Sequence, residues 1–385
     1  MVCRREVVLK RIWGPVCARR NGECHAGLVP PKCSQLAVEV RVEHQRTASD
    51  AKVLSRRTQT SVFSRSAAAR FPTRMVKEID MPTTDQGLRR VPYGIPPPGF
   101  RLPDETHVGA VRLQVSDLER SVAYYVNVVG LAVQSQAGDT AALGPHEDER
   151  TLLWLDARNG VIPVPRRGVF GLYHFAILLP ERAVLGRFAA HVSRIGERVG
   201  MADHRVSEAF YLWDPDGLGI EVYADRSRDT WAHDGAQLVM TTEPLDVANL
   251  IAAGSGGTWA GMPAGTVMGH VHLHVGSLNE ADAFYHRALG FDKTVWGYPG
   301  ALFFSAGGYH HHLATNTWSP GPSARLDQAR LLDWELVVPK RDDAAAAAAS
   351  IREAGYGVAE TDDGWTAVDP WGTRLRIVFP PLRSE

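Results

Sequence analysis

The sequence predicts an α+β protein of four repeated βαβββ modules, preceded by a disordered N-terminal extension. Three observations carry this. A strand-then-helix segment occurs twice, as GAVRLQVSDLERSVAYYVNVVGLAV at 109–133 and GHVHLHVGSLNEADAFYHRALGFDK at 269–293. A second segment interleaves with it, LYHFAILLPER at 172–182 and LLDWELVVPKR at 331–341. That second segment leads each time to a matching hairpin, Asp214-Pro-Asp-Gly and Asp369-Pro-Trp-Gly, and then to a strand, GIEVYAD and RLRIVFP. Internal repetition at this scale means one supersecondary unit used several times.

Each element has a local reason. Apolar residues alternate at the start of the first segment, the period-two signal of a half-buried strand. From Leu118 they shift to helical spacing at Leu118, Val122, Tyr125 and Val129. Ser116 and Asp117 stand where an N-cap is needed. Gly130 and Gly290 close the two helices, because glycine takes the left-handed C-terminal conformation without a Cβ clash. In the second segment the strand ends at a proline and an Ala-rich helix follows. Asp-Pro and Gly then supply turn geometry at the hairpins. Four units therefore begin near residues 108, 170, 268 and 331. By halves, this gives an extension over 1–105, modules one and two over 106–240, a linker over 241–267, and modules three and four over 268–381.

Composition narrows the function classes. The chain has 385 residues, 44% of them apolar and 22% charged, with a formal net charge of −1. That balance is ordinary for a globular protein and offers no basic face for a nucleic acid. No apolar run approaches the roughly 18 residues of a membrane span. The four cysteines, Cys3, Cys17, Cys24 and Cys33, all lie near the N-terminus. A disulfide framework or thiolate metal site in the repeated part is excluded, and a reducing cytoplasm is the expected location. The first eighty residues are rich in Arg and Ser and weakly periodic, as at Arg56-Arg57 and Ser64–Arg70. They read as a transit peptide, a zinc knot of the cysteines with His25, or an extension upstream of a true start at Met75 or Met81. The last is preferred. Residues 91–105, with Pro96-Pro97-Pro98, read as an extended lead-in.

The motifs GHVHLHVGSL…AFYHRALGF, YHFAILLP and DPDGLGIEVYAD, with the fourfold repeat, resemble the vicinal oxygen chelate superfamily (glyoxalase, bleomycin resistance, dioxygenase). They look most like its catechol 2,3-dioxygenase branch, over about residues 106–381. The resemblance implies that the modules pair into two curled mixed sheets, with metal ligands early in a module's first strand and within its last. The matching first-strand positions hold Ala110, His174, His270 and Asp333. In the last strands, six residues after the hairpin prolines Pro215 and Pro370, stand Glu221 and Arg376. Module one offers no ligand near Leu152–Leu155. His174, Glu221 and His270 thus form the two-histidine, one-carboxylate set of non-haem Fe(II) oxygenases, with Mn(II) an alternative that the same ligands accept. It follows that modules two and three pair around the metal, while modules one and four form a degenerate pair. The usual pairing, one with two and three with four, leaves each site incomplete within one chain.

The resemblance implies an extradiol dioxygenase that inserts both atoms of O2 into a catechol-type ring in aromatic catabolism. Its partners would be a small aromatic diol and O2, with homo-oligomers common among relatives and no nucleic acid or membrane involved. Proton transfer in such a reaction suits histidine and tyrosine. His204, Tyr211 and one of His310, His311 and His312 are the candidates. Strand alternation puts His311 on one face and its neighbours on the other; His312 is chosen. His272 and His274 read as neighbours of the site or as surface, and His107 as neither. Trp213, Trp296, Trp318 and Tyr298 could line an aromatic pocket. Competing functions are a glyoxalase-type isomerase or lyase, a hydroquinone dioxygenase, and a resistance-type protein that binds small molecules without catalysis.

Overall fold

A computed structural model describes residues 93–380. The readings made for residues 1–92 lie outside the described residues. Module one contains β1 (His107–Val115), α1 (Leu118–Tyr124), β2 (Ala132–Ala137), β3 (Thr140–Gly144) and β4 (Leu153–Ala157). Module two contains β5 (Gly171–Leu178), α2 (Arg182–Ile195), β6 (Gly200–Asp203), β7 (Ser207–Trp213) and β8 (Gly219–Asp225). A small ladder, β9 (His233–Asp234) and β10 (Gln237–Leu238), and a helix, α3 (Val247–Ala253), come next. Module three contains β11 (Val267–His274), α4 (Leu278–Ala281), β12 (Asp292–Val295), β13 (Ala301–Ser305) and β14 (Leu313–Asn316). Module four contains β15 (Arg330–Val337), α5 (Arg341–Glu353), β16 (Val358–Thr361), β17 (Gly364–Val368) and β18 (Arg374–Val378).

Two eight-stranded mixed sheets result, with orders β16-β17-β18-β15-β1-β4-β3-β2 and β12-β13-β14-β11-β5-β8-β7-β6. Modules one and four share the first sheet; modules two and three share the second. Each half of the sequence therefore contributes to both sheets. The segment between the halves is more than a linker, because α3 packs on α2. Gly186 makes that approach close: a Cβ there would lie 2.1 Å from the Leu250 carbonyl oxygen.

Strand alternation sorts the second sheet. Phe175 and Ile177 on β5 and Val271 and Leu273 on β11 enter the main core with Leu185 and Phe188 of α2. The intervening residues, His174, Ala176, His270 and His272, share the opposite face. The lead-in joins this sheet too. Ile95 bridges to Lys293, and Leu102 is buried beside Gly290.

Asp117 of the expected pair is the cap of α1, Ser277 caps α4, which the sequence reading does not place, and both closing glycines stand as expected. Asp117 accepts from the Arg120 N–H, Ser277 from the Glu280 N–H, and Gly130 and Gly290 have positive φ. The helices differ from regular helical spacing, widening into π turns at Tyr125–Val129 and Asp282–Ala288. Tyr125 and Tyr285 sit in those turns and reach across modules. The Tyr125 hydroxyl donates to Asp214 Oδ2 at 3.1 Å, and the Tyr285 hydroxyl to Asp369 Oδ2 at 2.8 Å. The hairpin aspartates also accept backbone N–H groups within their own turns. Each Asp-Pro hairpin is thus a buried pin tying module one to two, or three to four.

Removing one pin tests its weight. Tyr285→Phe should cost about 1–3 kcal/mol in denaturant unfolding, the range for stranding a buried acceptor. Burial drives the Asp214 carboxyl up to about 7. A carboxyl raised in the folded state stabilises most below its unfolded value and loses that contribution as pH rises through the folded one. Wild type should therefore lose stability relative to Asp214→Asn between about pH 4 and pH 7; parallel curves would show that this carboxyl is not elevated.

Candidate metal centre

One row of residues crosses the second sheet. His270 pairs with Ala176, Ala176 with Glu221, and Glu221 with Tyr211. His174 lies one row away, opposite His272. All share the face turned from the core. Ala176 matters by being small, since its methyl leaves open the space between His270 and Glu221. A register shift between Met268 and His270 re-aims His270. Gly269 sits in that shift, where a Cβ would fall 1.8 Å from the Tyr223 hydroxyl.

His174 Nε2 and His270 Nε2 lie 3.0 and 3.2 Å from the same carboxylate oxygen, Glu221 Oε2. Each residue offers one ligand atom, and all three atoms fall within 4.8 Å of one another. Two ligands 90° apart, each about 2.1 Å from a metal, would be separated by about 3 Å. All three residues are buried. His174 Nε2 is buried with Glu221 Oε2 as its near neighbour, yet it makes no well-aligned hydrogen bond, which suits a nitrogen aimed at a shared cation. Burial alone would push the Glu221 carboxyl up, but the adjoining His270 and His174 outweigh it and hold it well below the ordinary range. Burial lowers His270 to about 4. An ionised carboxylate with neutral imidazoles is the state that binds a divalent metal.

His204 and Tyr211 come together beside this cluster. His204 Nδ1 lies 2.6 Å from the Thr241 carbonyl oxygen, and its Nε2 lies 2.6 Å from the Tyr211 hydroxyl. A carbonyl only accepts, so Nδ1 carries the proton and Tyr211 donates to Nε2. Burial, then the Glu221 charge, raises the Tyr211 phenol well above its ordinary range. Its oxygen still has lone pairs to offer a ligand. The Tyr211 and His174 rings are 5.4 Å apart.

His312, chosen although parity alone does not say which of the three faces the site, turns elsewhere. Its Nδ1 accepts from the Ala306 N–H at 3.2 Å, and its ring stacks on Phe291. The physical reason is local: β14 begins only at Leu313, so residues 309–312 are irregular and do not alternate. His311 takes the inner place, its ring 4.0 Å from that of His270. Sequence reasoning passed over it because no periodic signal exists in that stretch.

His272 and His274 are buried, not surface. Asn316 Nδ2 donates to His272 Nε2 at 2.9 Å, and His274 Nδ1 donates to Asn316 Oδ1 at 2.6 Å. The Trp318 N–H, donating to the same Oδ1, fixes which way the amide faces. Trp318 meets Tyr173 and His272 edge-on, and Tyr298 packs on Phe303 and Trp318, so both belong to the cleft wall. Trp213 borders a recess with Tyr173, His174 and Tyr211. Trp296 is partly exposed at the rim, its N–H bonded to Gln237. His107 is exposed and bonds the Glu105 carbonyl.

The first sheet carries ion pairs at the equivalent positions. The Ala110 N–H donates to Glu335 Oε2 at 2.9 Å. Arg376 bonds Glu335 at 2.6 Å and also Asp363. Arg112 pairs with Asp156, opposite a buried Asp333. Guanidinium groups supply the positive charge there.

A family model for the Glyoxalase/Bleomycin resistance protein/Dioxygenase superfamily matches residues 107–222 and 267–377. The chain belongs to that superfamily. It is 42% identical over 272 residues to the catechol-2,3-dioxygenase of Bacillus subtilis (strain 168), which covers 69% of this chain and 95% of that protein. A solved structure of a candidate dioxygenase from Bacillus subtilis subsp. subtilis str. 168 has a TM-score of 0.50 at 12% identity, covering 73% of this chain and 87% of that one. At that identity the likeness speaks for the fold alone. No helix among the described residues is long and apolar enough to cross a membrane.

Metal content can be read directly. Glu221→Ala should lose bound divalent metal, whereas Arg376→Ala should keep the wild-type stoichiometry. Ala176→Leu should also exclude the metal, at a folding cost of about 1–3 kcal/mol for overpacking. Equal loading of all four proteins by elemental analysis would place the metal elsewhere.

Proposed function

We propose that the protein is an extradiol dioxygenase, using a mononuclear Fe(II) held by His174, Glu221 and His270 to open a catechol-type ring with O2. The observation that carries this is the buried two-histidine, one-carboxylate cluster with Tyr211 and His204 beside it. A facial set of three protein ligands leaves other positions open for a diol and for O2, and bound iron would supply the redox chemistry that joins them. The 42% identity to a catechol-2,3-dioxygenase supports the same reading.

The chain's own groups would do the rest. The wall of Tyr173, Trp318, Tyr298 and Phe303 suits an aromatic ring and keeps water from its faces. Tyr211 can accept a proton from a substrate hydroxyl while passing its own to His204 Nε2, then reverse both transfers. Mn(II) fits the same ligands, and metal analysis of active protein distinguishes the two.

Anaerobic loading with Fe(II), then catechol and air, should give a yellow ring-fission product with matching oxygen uptake. His174→Ala, Glu221→Ala and His270→Ala should each abolish it. Tyr211→Phe should keep its iron and lose about 100-fold in kcat. Iron-loaded wild type that cleaves no catechol or hydroquinone would point to an isomerase, a lyase or a binding protein of the same superfamily.

A further inference from the structure

Behind His270, a second polar chain runs from the cleft to the end of β8. His311 Nδ1 lies 2.7 Å from His310 Nδ1, and His310 Nε2 lies 2.9 Å from Asp225 Oδ1. The same Asp225 oxygen accepts from the Tyr309 hydroxyl at 3.2 Å, and Tyr309 is 2.6 Å from the Tyr223 hydroxyl. His310 is fully buried, whereas the Asp225 side chain is 26% exposed. The His311 ring is wedged between His270, at 4.0 Å, and Phe303, at 5.0 Å, measured between centroids.

Elementary hydrogen-bond chemistry gives this chain a direction. An ionised carboxylate only accepts, so His310 Nε2 must carry a proton toward Asp225. Taken as a neutral imidazole, His310 has that one N–H, which leaves its Nδ1 as a lone pair. His311 Nδ1 must then be the donor to it. The one proton of His311 is thereby committed, and its Nε2 keeps a lone pair. Among the described residues nothing bonds that Nε2, and the atom is not sealed from solvent. Nothing in the Tyr211–His204 pair duplicates this chain, since that pair ends on the Thr241 carbonyl.

We propose that Asp225 and His310 are positioning residues, which lock the orientation and tautomer of His311 so that its Nε2 stands as a hydrogen-bond acceptor for one hydroxyl of a bound aromatic diol. The proposal rests on the reading of the cleft as a site for such a diol. It gives the three consecutive histidines distinct work: His311 faces the ligand, His310 sets its tautomer, and His312 anchors the loop on Ala306 and Phe291. It also accounts for a carboxylate buried on one side and wet on the other at the end of the strand that carries Glu221.

The tautomer can be measured without metal or substrate. In the metal-free full chain labelled with 15N-histidine, two-bond proton–nitrogen correlation should show His311 protonated at Nδ1 and bare at Nε2. Assignment would come from His310→Gln and His311→Gln. Asp225→Asn lets an amide N–H face His310 and reverses the chain, so His311 should shift toward the Nε2–H form. Asp225→Glu keeps an acceptor-only group and should restore the wild-type pattern. In the iron-loaded enzyme, Asp225→Asn should lower kcat about 10- to 100-fold, as when a group orienting a site imidazole is lost. KM for catechol should stay within about threefold, since the ring-binding wall is untouched. Wild-type His311 found as the Nε2–H tautomer overturns the proposal, and this needs no variant to fold. An Asp225→Asn enzyme with unchanged tautomer and kcat overturns it as well. A bare Nε2 in a wild-type enzyme that cleaves no diol would instead sink the substrate reading, and with it the assignment of that acceptor to a diol hydroxyl.

Discussion

The structure turns on the antiparallel seam between β5 and β11. Pairing the first strands of modules two and three in this register sets His174 opposite His272 and His270 opposite Ala176, all on one face. The parallel neighbour β8 then adds Glu221 beside Ala176. Strand geometry fixes this strongly, because a slip of one residue would send every histidine into the core and every core residue into the cleft. The apolar face that Phe175, Ile177, Val271 and Leu273 bury against the helices therefore also holds His174 and His270 in place.

An equivalent seam, β1 with β15, carries charged pairs where the other carries histidines. Arg112 lies opposite Asp333, and Arg376 on β18 lies beside Glu335. Paired charges occupy the concave face, and the structural role of the sheet survives. The two Tyr–Asp pins then couple the sheets, since each joins modules whose strands belong to different sheets. The sheet that carries His174, Glu221 and His270 is built from the middle of the described residues, and modules one and four form the other.

Much of this was legible in the sequence because repetition supplied the register. His174, Glu221 and His270 stood out by recurring positions, and two unfit modules forced the pairing of the other two. His204 was singled out by its place before the strand that feeds the Glu221 hairpin, and Tyr211 by its resemblance to a family position that bonds substrate. Three features carried no such signal. His311 is aimed by an irregular loop, where alternation has no meaning. The π turns that deliver Tyr125 and Tyr285 to the hairpin aspartates obey no period that sequence patterning detects. The helix Val247–Ala253 is only seven residues long, too short to show a clear helical period, so its segment read as a linker although Leu250 is buried against α2.

The central claim is that one metal sits between modules two and three of a single chain. Anomalous diffraction at the iron edge, from crystals loaded with Fe(II) under anaerobic conditions, addresses it most directly. The account predicts one peak per chain, within about 2.0–2.3 Å of His174 Nε2, His270 Nε2 and a Glu221 oxygen. A peak among Ala110, Asp333 and Arg376, or one shared between two chains, would contradict it.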